Sequence, residues 1–102
     1  MDRPNPAGHV ESAIRTCVSE ALLIEPDQFT LESSLIMDLG AESIDLLDIR
    51  FRMEHAFGIK IQQGELTASL GASSDAQAIS RNLTVGSLVR YVEHRLALQS
   101  EG

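Results

Sequence analysis

The chain has little of what staples or stiffens a small protein. Its 102 residues include one cysteine, one tyrosine, three phenylalanines, three prolines and no tryptophan. A lone Cys17 excludes an internal disulfide. With 43% hydrophobic but only 4% aromatic residues, the core has to be aliphatic, with Phe29, Phe51, Phe57 and the methionines as its larger pieces. Long apolar runs are missing too. The longest strictly aliphatic stretch, Ala21-Leu22-Leu23-Ile24, is far too short to cross a bilayer. The opening Met1-Asp2-Arg3-Pro4-Asn5-Pro6 has no apolar signal core. The expectation is a soluble protein of a reducing compartment, most simply the cytoplasm.

Basic residues are scarce as well. Eight Lys plus Arg against fifteen Asp plus Glu leave a net charge of −7, and Glu32, Asp38, Glu42, Asp45 and Asp48 fall in a stretch without one base. The charge disfavours nucleic acid and anionic membrane as partners and favours basic protein surfaces. His9, His55 and His94 lack metal-ligand spacing. Ser43 lies in G-A-E-S-I, not in a G-x-S-x-G elbow. Cys17 falls on an apolar stripe with nothing nearby to lower its pKa, so it reads as a small buried hydrophobe. The chain is therefore not read as an enzyme.

What is present is helical periodicity. Residues 1–8 read as a mobile lead, 9–98 as one domain and 99–102 as a tail. Val10, Ala13, Ile14, Cys17, Val18, Ala21 and Leu22 predict a first helix from about His9 to Ile24, stopped by Pro26. Phe29, Leu31, Leu35 and Leu39 predict that the connection 25–42 is pinned to the core. A second helix over Ser43–Phe57 has an inward stripe of Leu46, Ile49, Met53, Ala56 and Phe57. Ile44, Leu47 and Phe51 form another row, which reads either as an exposed docking face or as part of one broad buried stripe. Arg52 is placed to pair with Asp48 one turn away. Asp75–Arg81 predicts a short third helix, and Thr84 caps a last one carrying Val85, Leu88, Val89, Val92 and Leu96 to about Leu98. No strand pattern is found. The fold class is all-α, three main helices plus a short one.

The segment Asp38-Leu39-Gly40-Ala41-Glu42-Ser43-Ile44-Asp45 carries the chemistry. A helix start leaves N–H groups without intrahelical acceptors and bears the positive end of the macrodipole. A phosphate on a hydroxyl there is well received. Gly40 gives the loop freedom, and Asp38, Glu42 and Asp45 surround the serine with negative charge that attracts a basic partner. The same residues also suit an ordinary helix cap. Phosphorylation of Ser43 is disfavoured by repulsion from Glu42 and Asp45.

This segment resembles the D-x-G-x-[DE]-S-[LI]-[DE] motif of acyl carrier proteins. Glu54-His55-Ala56-Phe57-Gly58-Ile59-Lys60-Ile61 resembles the end of that family's second helix, and Leu83-Thr84-Val85-Gly86-Ser87-Leu88 the start of its last. The resemblance covers about residues 9–98, less a stretch after Ile61. It implies a small acyl-carrier-like bundle with 4′-phosphopantetheine on Ser43, placed there from coenzyme A by a phosphopantetheinyl transferase. The terminal thiol of that arm holds acyl groups as thioesters. The likeness further implies a monomer whose Asp38, Glu42, Ile44, Asp45, Leu47, Asp48 and Phe51 meet the basic docking surfaces of acyl-loading, acyltransferase or synthase enzymes. Leu46, Ile49, Met53, Phe57, Leu66, Leu70 and Ile79 are the candidates for an acyl pocket.

Two departures stand out. Arg50 and Arg52 break the usual acidic or apolar pattern of the second helix, which points to a narrower set of clients. Gln62–Ser74 looks like an insertion before the last helix. With it, the chain resembles bacterial carriers that deliver very long acyl chains to lipid A, within fatty acid or lipid biosynthesis. Polyketide or aminoacyl cargo stays open, as does an unmodified acidic helical module that binds basic proteins.

Overall fold

The computed structural model describes residues 6–62, 64–68, 79 and 81–101. Four α-helices are given there: α1 over Pro6–Leu22, α2 over Ser43–Phe57, the short α3 over Glu65–Ala68 and α4 over Val85–Glu101. Ile79, Arg81 and Asn82 are also helical. Among the described residues no strand forms, only an isolated antiparallel bridge between Ser34 and Thr84. Most of the expected insertion and third helix lies outside the described residues.

Helix α1 packs on both α2 and α4. Ile14 and Val18 from α1, Ile49 and Met53 from α2, and Val85, Leu88 and Val92 from α4 are all fully buried with Leu35 of the connection. These are the positions that a 3.6-residue period places on one face. The inward stripe of α2 needs one correction. Ala56 is exposed, because it lies in a shallow surface hollow between α1 and α2, beside Ala13 and Cys17. Ile59 and Ile61 cover the core beyond it.

Both ends of α1 differ from expectation. It begins at Pro6, where a fixed φ and a missing N–H suit the first helical position. It stops at Leu22 because Leu23 turns left-handed, with φ 60, and Ile24 N–H closes back on Ser19 O at 3.1 Å. Pro26 instead opens a 3₁₀ turn over Pro26–Gln28. The end of α2 is more conventional, with Gly58 left-handed and its N–H on Glu54 O at 2.9 Å.

The connection from α1 to α2 is pinned as expected. Arg15 donates to the carbonyls of Pro26 and Phe29 at 3.0 and 3.1 Å. Leu35 N–H meets Leu83 O at 2.9 Å, Val85 N–H meets Ser33 O at 3.1 Å, and Gly86 N–H meets Leu31 O at 2.7 Å. Thr84 caps α4, its Oγ1 accepting from Ser87 N–H at 3.1 Å while Ser87 Oγ accepts from Thr84 N–H at 3.0 Å. The loop before α2 is thereby held to the start of α4.

Candidate functional site

Ser43 is exposed and is the first residue of α2. Its position follows from the loop. Asp38 accepts from Ser34 N–H at 2.7 Å, Gly40 turns with φ 71, and Ala41 N–H donates to Leu35 O at 2.8 Å. Glu42, not Ser43, is the N-cap. Its carbonyl accepts the first helical bond from Leu46 N–H at 2.9 Å, and its own N–H donates to Asp45 Oδ2 at 2.9 Å. The serine hydroxyl is left for solvent at the positive end of the helix.

Ser43 also stands on the wall of an apolar groove of about 240 Å³. Leu46, Leu47, Ile49 and Arg50 of α2 line it with Leu35, Gln62, Gly64, Leu66, Leu83 and Leu88. Of the seven acyl-pocket candidates, Leu46, Ile49 and Leu66 meet here. Met53 is fully buried in the core away from the groove, Phe57 and Ile79 pack against the core, and Leu70 lies outside the described residues. Leu35, Leu83 and Leu88 were missed as groove residues, although each falls in an apolar position near one of the motifs. Arg50 was noticed only as a departure from pattern.

Next to Ser43 an apolar row faces solvent. Ile44 is 69%, Leu47 43% and Phe51 52% exposed, which decides against a single broad buried stripe. Three of the acids beside this row have local partners: Asp38 with Ser34, Asp45 with the α2 cap, and Asp48 with Arg52 Nε at 3.1 Å. Asp38 is exposed and Asp45 and Asp48 are partly so, which leaves their negative charge open to solvent. Arg52 also reaches Glu20 on α1, at 3.0 Å. Met37, 66% exposed, is another apolar side chain at the surface of the preceding loop.

Other chemistry is sparse. Cys17 is buried, and desolvation pushes its thiol above the ordinary value, outweighing the Arg52 guanidinium. A buried thiol held protonated is a poor nucleophile. Among the described residues, no group of His, Cys, Asp and Glu is placed to hold a metal ion, and no helix is long and apolar enough to cross a membrane.

Residues 12–69 match the family model for the phosphopantetheine attachment site. The chain is 36% identical over 85 residues to an acyl carrier protein of Thermotoga maritima, covering 83% of this chain and 89% of that one. It is 34% identical over 80 residues to one of Amoebophilus asiaticus, covering 78% and 84%. Over 80 residues it is 32% identical to one of Helicobacter acinonychis, covering 78% and 86%. An all-helical bundle with a serine-led α2 and matches of this extent lead to one conclusion: the chain belongs to the acyl carrier protein family and is a 4′-phosphopantetheine-bearing carrier, not an enzyme.

Proposed function

We propose that Ser43 bears the phosphopantetheine arm as a phosphodiester, and that the chain carries acyl groups for fatty acid or lipid biosynthesis. One observation supports this most: the exposed hydroxyl at the first position of α2 shares a wall with an apolar groove. The helix start receives phosphate charge. The bound arm supplies a thiol that holds acyl groups, and the leucines of the groove keep water from an apolar chain. Leu46, Ile49 and Leu66 are pocket residues in this reading.

Exposed Ile44, Leu47 and Phe51 among Asp38, Glu42, Asp45 and Asp48 form its docking face toward the transferase and acyl-handling enzymes with basic surfaces. The same reading makes the chain a monomeric, cytoplasmic, bacterial carrier with one domain over about residues 9–98.

For the cargo, α3 favours a finer reading. It belongs to the extra stretch after Ile61 and puts Leu66 on the groove, which suits very long acyl chains of the kind delivered to lipid A. Chemical shifts at Leu66 and Ile79 should then differ between long-chain and short-chain forms; identical shifts would remove the role of this stretch.

The attachment test is intact mass after incubation with coenzyme A, magnesium and a phosphopantetheinyl transferase. Wild type should gain one phosphopantetheine and Ser43→Ala none. A gain in Ser43→Ala would place the arm elsewhere, and no gain in wild type beside a competent control carrier would count against the reading.

A further inference from the structure

The groove beside Ser43 is small for a long chain. Its volume of about 240 Å³ falls below the roughly 300–1,000 Å³ of pockets that enclose drug-sized ligands. Much of its wall is fixed, because Leu35, Ile49, Leu83 and Leu88 belong to the buried core. Leu66 differs. It is only partly buried and stands on α3, a helix of four residues that follows Gly64, where the backbone turns left-handed with φ 85.

Glu65 ties this part of the wall to α4. Its Oε2 accepts from Arg95 Nη1 at 2.9 Å, and the Tyr91 hydroxyl, 2.6 Å from the same Nη1, is hydrogen-bonded to Glu65 as well. The other carboxylate oxygen, Oε1, accepts from Gln62 N–H at 2.9 Å. With side-chain exposures of 20% for Arg95 and 31% for Glu65, the pair is largely screened from water and holds more firmly than ion pairs of the open surface. Opening it carries one fixed cost, whereas each methylene withdrawn from water adds a further gain. Together they define a threshold chain length, below which α3 stays in place and above which it gives way.

We propose that the Glu65–Arg95 pair sets the acyl-chain length at which the groove has to open: a medium chain is held with the pair closed, and a longer one when the pair parts and α3 swings out at Gly64. Glu65 and Arg95 are then positioning residues that act through Leu66. The inference rests on Ser43 as the attachment site and on the groove as the acyl site.

The full chain, isotope-labelled on carbon and nitrogen, is loaded by a transferase from coenzyme A, octanoyl-coenzyme A or hexadecanoyl-coenzyme A, with intact mass confirming occupancy of Ser43. Tyr91 is the chain's only tyrosine, so its ring signals report on the cluster directly, and the Arg95 Nε–H signal is assigned by its loss in Arg95→Lys. The octanoyl form should keep both signals where the unacylated arm leaves them, and the hexadecanoyl form should move both. Glu65→Gln should slow hydroxylamine cleavage of the hexadecanoyl thioester roughly ten-fold, since entry no longer breaks a hydrogen bond between charged groups, and should leave the octanoyl rate close to wild type. Arg95→Leu should act like Glu65→Gln, and Arg95→Lys, which keeps the charge, like wild type. Equal Tyr91 and Arg95 signals in the two acylated wild-type forms overturn the proposal, as does a hexadecanoyl rate that folded Glu65→Gln leaves unchanged. Mass gain with length-independent signals defeats this inference alone. Leu46 methyl signals unmoved by either acyl group remove the groove as acyl site and the inference with it; no mass gain beside a competent control carrier defeats the attachment reading and this inference together.

Discussion

Arg95 of α4 donates from Nη1 to the carboxylate of Glu65 on α3 at 2.9 Å, joining two residues thirty positions apart. The same Nη1 lies 2.6 Å from the Tyr91 hydroxyl, which is itself hydrogen-bonded to Glu65. Leu66, next in sequence to Glu65, lines the groove. This polar cluster therefore holds one wall of the candidate acyl site.

The cluster predicts a pH dependence. Burial first, and then the Glu65 hydrogen bond, push the Tyr91 phenol from 10.0 up to about 12. The folded state then keeps a proton that the unfolded chain loses, so this stabilisation is full below pH 10.0 and disappears as pH rises toward about 12. Glu65 behaves oppositely. The Tyr91 hydrogen bond, followed by that of the Gln62 backbone, holds it below 4.5, so its contribution is present above that pH and is lost as pH falls through the depressed value. Urea midpoints of wild type and Tyr91→Phe across the alkaline range test this. Equal alkaline losses in the two proteins would show that Tyr91 is not responsible.

Gly86→Ala should lower stability by about 1 kcal/mol. A Cβ there would lie 3.0 Å from the Leu31 carbonyl oxygen, a backbone atom that also accepts from Gly86 N–H. Overpacking of roughly 1–3 kcal/mol outweighs the gain of up to about 1 kcal/mol from replacing a helical glycine. The loop that presents Ser43 should loosen too, seen as faster amide exchange at Leu35 and Val85. A Gly86→Ala variant more stable than wild type would contradict this packing.

Leu23→Gly should be stabilising. Leu23 is 89% exposed and carries a left-handed φ of 60, which costs an L side chain roughly 1–2 kcal/mol. Glycine removes that strain and little buried surface, while its greater unfolded-state entropy takes back about 0.5–1 kcal/mol. The expected net gain is about 0.5 kcal/mol, read from the urea midpoint; a loss above about 1 kcal/mol would mean that Leu23 has a packing role.

Ile44→Asp should leave the fold within about 0.5 kcal/mol of wild type, as exposed substitutions commonly do, while Phe51→Ala, which removes a half-buried ring that lies under the Arg50 guanidinium, should cost about 1 kcal/mol. Each should slow transfer of phosphopantetheine to Ser43 by weakening docking without removing the acceptor hydroxyl. Wild-type transfer rates for both variants would place the docking face elsewhere. Raised salt should slow wild-type transfer as well, since steering by the neighbouring acids is screened.

Local signals foretold much of the helical layout. The 3.6-residue stripes located α2 over Ser43–Phe57, and Thr84 marked the start of α4. They were poorer guides at margins. Ala56 shares the period of Met53 yet is exposed in a surface hollow, because period assigns a direction and not a neighbour. Leu23 ends α1 by adopting a conformation that its residue type disfavours. The tertiary fit of Ile24 and the following turn outweighs that preference.

Composition and order alone determined an aliphatic, acidic, helical chain with a serine at the start of its second helix, since charge, periodicity and capping act over a few residues. Only the tertiary structure decided what surrounds that serine. Leu35, Leu66, Leu83 and Leu88 come from separate segments and form a groove only when loop and helices pack together. The same packing pairs Glu65 with Arg95, exposes Phe51, and adds Glu20 of α1 to the Asp48 partner that Arg52 already has within α2, while leaving the Nε of Arg50 unmatched. Those outcomes depend on distance and desolvation between residues far apart in the chain, and local periodicity carries neither.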